Sequence, residues 1–422
     1  VCSSDLRRPL FISGRLKKTL RKGNRLMTEN ERFAWLQLAF TPYIGAESFL
    51  VLLQQFGSAQ AALNAPADRI AALVRHKQAA ESWRNEDKRA VAQQSAEAAL
   101  QWEMQDGCRL LLLQDDDFPE MLTQGITAPP VLFLRGNAEL LHTPSAAIVG
   151  SRHATPQAMR IAKDFGRALS EKGIPVVSGM ASGIDTAAHQ GALQADGGTI
   201  AVWGTGIDRI YPPSNKNLAY EIAERGLIVS EFPLDTRPFA GNFPRRNRLI
   251  AALSQLTLVV EAALESGSLI TAKLAAEMGR EVMAVPGSID NPHSKGCHKL
   301  IKDGAKLVEC LDDILHECPQ LLQNTPVPSY SINKTVKLKN DRTKHLQQKT
   351  IADEPPRPSE NLPAAPSTSA LLEAMGYDPI HPDILAQQTN TAAADVYAQL
   401  LEYELDGIVA ALPGGRYQRV KA

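Results

Sequence analysis

The sequence predicts an α/β protein: a doubly wound sheet domain, with a small helical domain before it and a winged-helix domain after it. Between residues 105 and 320, short apolar runs alternate with amphipathic stretches, as in a parallel sheet covered by helices on both faces. Apolar residues at helical spacing fill residues 28–104. Residues 367–422 hold three helical stretches and a hairpin pattern, which is the content of a winged helix.

The composition is that of an ordinary globular protein, because 44% of the 422 residues are hydrophobic and 22% are charged. These values exclude a largely disordered or fibrous chain. No run approaches the roughly 20 consecutive apolar residues of a membrane helix, so we expect no membrane partner. The formal net charge of −1 argues against nucleic acid only if the charges are spread evenly along the chain.

The five cysteines indicate a reducing compartment, since their number is odd and none is spaced as Cys-x-x-Cys. His298 stands beside Cys297, and Cys310 and Cys318 follow. This spacing is too loose for a zinc site, so no metal is expected.

Residues 1–27 are expected to be a non-native or disordered leader that does not belong to the fold. Residues 7–26 hold eight Lys or Arg and no acid, but no apolar stretch of a signal peptide follows them. Met27 opens a segment that looks like a natural bacterial start.

Residues 28–104 form the helical domain, which is similar to sterile-alpha-motif or helix-hairpin-helix modules. An apolar stripe runs from Phe49 to Phe56 and stops at Gly57. A Gly turn before such a helix can bind a nucleic-acid backbone through free N–H groups. A plain helical interaction domain is the preferred interpretation, because Gly turns end many helices.

Eight strands are predicted in the sheet domain, which spans residues 105–320. They are expected at residues 110–113, 131–134, 146–149, 175–178, 199–203, 227–230, 256–260 and 281–285. The runs are continuous rather than alternating, which is typical of strands that are buried on both faces. Between them lie helices, one of which places Ile161, Phe165 and Leu169 on one face.

Residues 321–366 are predicted to be a linker, because residues 325–366 contain seven Pro and seven Lys or Arg with a single aromatic residue. The winged-helix domain then spans residues 367–422, and its third helix, at residues 391–403, would be the recognition helix. That helix contains Asp395 and Glu402 but no Lys or Arg. We therefore favour a protein partner over DNA for this domain, and DNA stays an alternative.

The first candidate site is the turn Gly150-Ser151-Arg152, which joins a predicted strand to a helix. Thr155 and Pro156 are favourable residues for the start of that helix. Backbone N–H groups and the helix dipole make such a turn an anion site, and the Arg152 guanidinium suits phosphate. The alternative is an unoccupied tight turn with a surface arginine.

A second turn contains Ser178, Gly179 and Gly183 and also joins a strand to a helix. It should therefore lie beside the first turn at the C-terminal edge of the sheet, where ligands bind in open α/β sheets. Asp185 and His189 follow, one helical turn apart. They form either an acid–base pair or, as we favour, an internal hydrogen bond, because no nucleophile stands at motif spacing.

The third candidate is a cationic cluster with one aromatic residue, and no acid occurs between residues 236 and 261. It consists of Phe243, Arg245, Arg246, Asn247 and Arg248. Cations bind phosphates and an aromatic ring stacks on a base, which together describe single-strand binding. In the alternative interpretation the phenylalanine is core and one of the arginines pairs with Glu231 or Glu261. Arg248 is expected to be partly structural, because Ile250 and Leu253 mark the buried side of its helix.

A fourth turn, Glu265-Ser266-Gly267-Ser268, precedes a helix that carries Thr271 and Lys273 near its start. It is another helix N-terminus that can attract an anion. Pro286-Gly287-Ser288 then ends the last strong strand.

These motifs resemble, in their order, those of the DNA-processing protein A (DprA/Smf) family. They are Val149-Gly150-Ser151-Arg152, Ser178-Gly179, Gly183-Ile184-Asp185, Tyr211-Pro212-Pro213, Phe243-Pro244, Arg246-Asn247-Arg248, Gly267-Ser268-Leu269-Ile270-Thr271-Ala272 and Pro286-Gly287-Ser288. The similarity is dense over residues 108–310 and looser in the flanking domains.

The resemblance implies an extended Rossmann-like domain that binds single-stranded DNA in the cytoplasm, without catalysis and without a cofactor. It also implies protection of incoming strands in natural transformation and recombination, help in loading the RecA recombinase, and homodimerisation through this domain.

Carried over by motif, Arg152 would hold a phosphate, Phe243 would stack on a base, and the other arginines of the cluster would line a basic pocket. The expected DNA-binding residues are Gly150, Ser151, Arg152, Ser178, Gly179, Gly183, Phe243, Arg245, Arg246, Asn247, Arg248 and Thr271, with Lys273 added from its position. Ser182 departs from the basic residue that the family often has there, which puts one phosphate contact in doubt.

Two other functions compete with this one. The first is a nucleotide hydrolase of the lysine-decarboxylase-like group, which also uses a Gly-rich turn before a late helix. Residues 265–271 lack the second glycine pair and the catalytic Glu of that group's motif. The second is a scaffold that only bridges partners through its end domains.

Overall fold

A computed structural model describes residues 27–74, 76–322, 368–412 and 415–420. The predicted leader up to residue 26 and the linker from residue 323 to 366 lie outside the described residues. The chain divides into two compact units. The N-terminal helices and the sheet belong to the first, and most of the winged-helix residues belong to the second. No helix of the described residues is long and apolar enough to cross a membrane.

Six helices occupy the described residues before the sheet. They are α1 (Glu29–Phe40), α2 (Ala46–Phe56), α3 (Ala59–Leu63), α4 (Ala67–Leu73), α5 (Lys77–Arg84) and α6 (Glu86–Glu103). The side chain of Thr28 accepts a hydrogen bond from Glu31 N at the start of α1, and α2 ends at Gly57 with a φ of 82°, as the sequence predicts.

The eight predicted strands are all present, with small shifts at their ends, and a ninth follows. They are β1 (Cys108–Leu112), β2 (Val131–Gly136), β3 (Ala146–Val149), β4 (Val176–Ser178), β5 (Thr199–Trp203), β6 (Leu227–Ser230), β7 (Leu256–Val259), β8 (Glu281–Ala284) and β9 (Lys306–Leu307). The last strand escaped prediction because it has two residues, both exposed, and no apolar pattern.

The helices between and after these strands cover the sheet. They are α7 (Pro156–Glu171), α8 (Ile184–Ala192), α9 (Lys216–Arg225), α10 (Asn242–Leu253), α11 (Ser268–Glu277), α12 (Lys295–Lys302) and α13 (Leu311–Glu317). The strand order is β1-β2-β6-β5-β4-β3-β7-β8-β9. The chain therefore winds outward from β3 through β4, β5 and β6 on one side, and through β7, β8 and β9 on the other.

The expectation of a wholly parallel sheet is wrong at one strand. β2 pairs antiparallel with both β1 and β6, while the other neighbouring strands are parallel. A parallel return needs a long crossover, usually an α-helix. The connection between β1 and β2 contains only the short 3₁₀ helix Glu120–Thr123, so β2 returns beside β1 in the opposite direction.

The N-terminal helices and the first strands share one hydrophobic core. The ring of Phe133 on β2 stacks on Phe40 of α1 at 5.9 Å between centroids and meets the edge of Trp102 of α6 at 5.3 Å. Trp35 is buried, and its indole Nε1 donates to the carbonyl of Pro130 at 3.0 Å. These aromatic contacts fix the helices on the sheet edge.

The second unit has the three helices and the hairpin that the sequence predicts. They are α14 (Thr368–Met375), α15 (Pro382–Thr389), α16 (Ala393–Leu405), β10 (Val409–Leu412) and β11 (Arg416–Arg419). The two strands pair antiparallel, and Ile380 exchanges two backbone hydrogen bonds with Tyr417. Leu371, Leu385 and Leu400 are fully buried between the helices.

Replacing Phe133 with Ala should lower the free energy of unfolding of the first unit by about 3–5 kcal/mol, because it removes a fully buried ring and leaves a cavity. Urea unfolding followed by tryptophan fluorescence measures this, since all four tryptophans lie in that unit. Met104→Ala is the control, because Met104 is 86% exposed and should change stability by less than about 0.5 kcal/mol. Similar losses in both variants would contradict the proposed core.

Candidate nucleic-acid interface

A polar cleft of about 420 Å³ lies where the strand order reverses, between the carboxyl ends of β3 and β7. This is the place where open, doubly wound sheets bind their ligands. The turn after β3, the turn before α11 and the start of α10 supply its walls. Its lining includes Gly150, Ser151, Arg152, Asp185, Arg246, Asn247, Ser268 and Thr271.

The buried residue Glu261, which is 4% exposed, fixes the turn after β3 through hydrogen bonds. Its carboxylate accepts hydrogen bonds from the backbone N–H of Thr155 (3.1 Å) and from the Thr155 hydroxyl (2.8 Å). Its carbonyl accepts from the N–H of Ser151 (2.7 Å). The Ser151 amide is thus used inside the protein, whereas the Arg152 side chain is exposed.

The second turn packs directly against the first. The N–H of Ile184 donates to the carbonyl of Ser151 at 3.2 Å. Gly183 has a φ of 77°, and a Cβ there would lie 2.4 Å from the Ser151 carbonyl oxygen, so only glycine fits. The Ser178 hydroxyl donates to the carbonyl of Ile148 at 2.6 Å. Ser178 and Gly183 therefore build the turn and lie behind its surface.

Arg246 is a buried cation that joins the ends of two strands, β4 and β5. It is 3% exposed, and its Nη1 donates to the carbonyls of Gly179 and of Val202, the latter at 2.6 Å. Burial lowers the pKa of its guanidinium to about 10, while the carboxylate of Asp185 opposes the shift. The group stays charged at neutral pH, so it places a positive charge beside the cleft from within.

Exposed Arg152 and half-buried Phe243 form a cation–aromatic pair above Arg246. The guanidinium carbon of Arg152 lies 5.4 Å from the centroid of the Phe243 ring. The ring of Tyr211, which is 45% exposed, lies 5.7 Å from the same ring. A second, smaller pocket of about 70 Å³ adjoins them and includes Trp203.

Arg152, Ala181 and Arg246 line both pockets, so the pockets are adjacent. One pocket is polar and lined by hydroxyl groups, and the other is aromatic. Tyr211 and Trp203 were not among the predicted site residues. Trp203 is the last residue of β5 at this sheet edge, and Tyr211 opens the Tyr211-Pro212-Pro213 motif in the loop that follows, so both positions could have been indicated by the sequence.

Three of the predicted residues, Arg245, Arg248 and Lys273, do not line either pocket, whereas Asn247 does. Arg248 donates to the carboxylate of Glu231 and, at 2.8 Å, to the carbonyl of Thr127, as its predicted structural role requires. Arg245 is 57% exposed at its side chain and lies 4.0 Å from Glu231. Lys273 is 78% exposed, pairs with Glu277 at 3.8 Å and lines a different cavity. Asn247 lines the cleft and donates to the carbonyl of Gly267 at 3.4 Å.

The predicted hydrogen bond between Asp185 and His189 is absent. Asp185 accepts from the N–H groups of Gly179 (3.1 Å) and Ala181 (3.2 Å). His189 Nδ1 lies 2.7 Å from the hydroxyl of Thr199, which itself donates to a backbone carbonyl, so the imidazole must be the donor. Asp185 thus pairs with the turn that precedes its helix, and His189 pairs with strand β5. Spacing along the sequence does not reveal either partner.

Both groups have altered pKa values. Burial raises the pKa of the Asp185 carboxyl, against the opposing effect of Arg246 and of the two backbone N–H groups. Burial also lowers the pKa of the His189 imidazole to about 3, with a further contribution from the charge of Arg246. His189 is therefore neutral at physiological pH, and it belongs to the packed interior.

The fold and the cleft define a class: an α/β protein with a Rossmann-like sheet, whose switch-point cleft suits a phosphate-bearing ligand and whose aromatic pocket suits a planar ring. Three sequence profiles identify the family. The profile described as "DNA recombination-mediator protein A" matches residues 109–319, the "DprA-like N-terminal HHH domain" matches residues 29–82, and the "DprA winged helix domain" matches residues 354–415.

The chain belongs to the DNA recombination-mediator protein A (DprA/Smf) family, which confirms the predicted resemblance. It is 39% identical over 335 residues to Protein Smf of Escherichia coli (strain K12), covering 78% of this chain and 81% of that protein. It is 47% identical over 203 residues to the DNA processing protein DprA of Streptococcus pneumoniae, covering 48% of this chain and 72% of that protein.

A solved structure supports the fold. The X-ray structure of DNA processing protein A from Streptococcus pneumoniae superposes with a TM-score of 0.57 at 36% sequence identity. The superposition covers 69% of this chain and 99% of that one.

The stability of the first unit should fall as the pH is lowered from 7 to 5. His189 stays neutral in the folded state, whereas its unfolded form takes up a proton below pH 6.5, so folding loses free energy in this window. The loss from this group is about 2 kcal/mol at pH 5. Urea unfolding of the wild type and of His189→Gln at both pH values isolates it, because the variant lacks the imidazole. An equal pH dependence in both proteins would contradict the assignment.

Proposed function

We propose that this chain binds single-stranded DNA without sequence preference and without catalysis, through the two adjoining pockets at the switch point. The observation that carries the proposal is the pairing of an exposed guanidinium, Arg152, which lines both pockets, with the half-buried ring of Phe243, which lines the smaller one. Phosphates need cations, and unpaired bases need flat aromatic partners.

The polar cleft fits the backbone of a strand. Arg152 offers a guanidinium to a phosphate, buried Arg246 adds a positive charge beneath, and the hydroxyls of Ser268 and Thr271 line the opposite wall. Glu265 is also exposed at this wall, so the positive charge is concentrated on the side of the two arginines.

The aromatic pocket fits a base and accounts for the preference for single strands. Phe243 and Tyr211 present ring surface beside Arg152. A base can stack on such a ring only when it has left its own helix, which a duplex resists. Because the pockets share Arg152, one nucleotide can place its phosphate in the cleft and its base against the rings.

The absence of catalysis is supported by how the titratable groups near the cleft are used. Asp185 is bound to backbone N–H groups, and His189 is bound to Thr199 away from the cleft. Glu261 holds the turn that carries Arg152. These three groups are therefore engaged in the fold, whereas Glu265, His153 and His293 line the cleft as well.

The biological part of the proposal comes from the family. Relatives are named DNA processing proteins, and the family is described as a recombination mediator. We propose that the chain acts in the cytoplasm, protects incoming strands in natural transformation and helps to load the RecA recombinase onto them.

A homodimer completes the proposal, with a surface at the β8–β9 end of the sheet. A cavity of about 740 Å³ is lined there by Ile270, Arg280 and Leu300. Within the described residues, Nε and Nη2 of Arg280 are buried without a hydrogen-bond partner, and burial lowers its pKa. Ile270 and Leu307 are each 45% exposed. A second copy would cover this apolar rim.

Replacing Arg152 with Ala should weaken binding to labelled oligothymidylate about tenfold, because one charge-assisted phosphate contact is lost. The slope of log affinity against log salt between about 50 and 200 mM should also become shallower by about 0.7. Fluorescence anisotropy measures both. Arg167→Ala is the matched control, since it removes one charge outside the cleft and outside the proposed dimer surface and should change affinity little.

Phe243→Leu should weaken the same binding about tenfold while leaving the salt slope unchanged, because stacking is lost and no charge is removed. Wild type should bind a duplex of the same length far more weakly than the single strand. Equal, weak binding to both forms that Arg152→Ala does not alter would refute the proposal. Release of free base from AMP would favour the hydrolase instead.

Ile270→Arg should convert a dimer into a monomer in light scattering, because it places a charge in an apolar interface next to Arg280. Ile289→Arg is the control, since Ile289 is 73% exposed and does not line this cavity. A wild-type protein that is monomeric at micromolar concentration would contradict the dimer.

A further inference from the structure

The recognition helix of the winged-helix unit, α16, is apolar on two faces. Val396, Leu400 and Tyr403 lie on one face and are buried in the core of the unit. This face alone is enough to hold the helix in place, because it provides an apolar residue at each turn.

The opposite face carries a second apolar row, which we call the α16 stripe: Ala394, Tyr397, Ala398 and Leu401. Their spacing of i, i+3, i+4 and i+7 puts them side by side on one surface of the helix. All four are exposed, Tyr397 by 42% and Leu401 by 55%. A single exposed leucine is ordinary, but a row over two turns that the core does not use indicates a contact surface.

The charges around the stripe have one sign. Asp395 and Glu402 are seven residues apart and therefore lie along the same side of it, and Glu404 lies on the other side. Residues 368–405, which include all three helices, hold six Asp or Glu and no Lys or Arg. Between residues 368 and 420 the cations are Arg416 and Arg419, both on β11 of the hairpin.

These charges decide between the possible occupants. DNA is disfavoured, because a recognition helix needs cations to approach phosphates. A second copy of the same stripe is disfavoured, because the acidic borders would face each other. A basic, apolar partner satisfies both the ring and leucine side chains and the carboxylates.

We propose that the α16 stripe docks an amphipathic helix of a partner protein, whose apolar face is bordered by Lys or Arg. Helix-on-helix docking uses anchors at the spacing that the stripe itself shows. Ala394 and Ala398 leave room for large apolar side chains of the partner between Tyr397 and Leu401, as ridges fit grooves in helix packing. This site belongs to the second unit and is independent of the DNA-binding pockets.

The test uses the full chain and a labelled synthetic peptide with leucines at i, i+3, i+4 and i+7 and lysines on both borders. A scrambled peptide of the same composition and a peptide with Glu in place of Lys serve as comparisons. The ordered basic peptide should bind best in fluorescence anisotropy. Tyr397→Gln with Leu401→Gln should weaken it about tenfold, because two anchors are lost from a helix that Gln still supports. Affinity for single-stranded DNA should not change.

A charge exchange makes the test specific. The chain with Asp395→Lys and Glu402→Lys should lose the basic peptide and gain the acidic one. Equal binding of all three peptides to the wild type would overturn the proposal. A lower mass of the Gln variant in light scattering would make the stripe a contact between copies. Loss of duplex DNA binding in that variant would make it a DNA surface.

Discussion

The buried guanidinium of Arg246 is the interaction on which the proposed DNA-binding region depends. It joins the ends of β4 and β5 through the carbonyls of Gly179 and Val202, and the carboxylate of Asp185 lies near it. Because a buried charge is tolerated only with partners, the turn from Gly179 to Asp185 must keep its shape. This turn also packs against the loop that carries Arg152. The position of the exposed Arg152 guanidinium therefore depends on the buried hydrogen bonds of Arg246.

Burial divides chemically similar cations into different roles. Arg246 is enclosed and organises backbone, Arg248 neutralises Glu231, and Arg152 is exposed beside an aromatic ring. A free charge near a low-dielectric wall attracts a phosphate, whereas a paired charge contributes little field. The overall charge of −1 therefore does not describe the surface that DNA would meet.

The charged residues that the two units are proposed to use at their binding surfaces have opposite signs. The sheet unit presents cations and rings at one edge, which suits a polyanion with flat bases. The helices of the winged-helix unit carry only acids among their ionised residues, with an apolar row between them on α16. A fold that commonly binds DNA thus has helices here whose ionised residues are all acidic, and fold and function are separable.

The sequence by itself determined the eight strands, the helical and winged-helix ends and the turns at the sheet edge, because buried runs and Gly turns are local patterns. It also determined the family. Only the tertiary structure decided the reversed direction of β2, the unpredicted strand β9 and the separate partners of Asp185 and His189. It likewise decided which arginine is buried and which is exposed. Those outcomes depend on distances between segments far apart in the chain, and spacing along the sequence carries no measure of such distances.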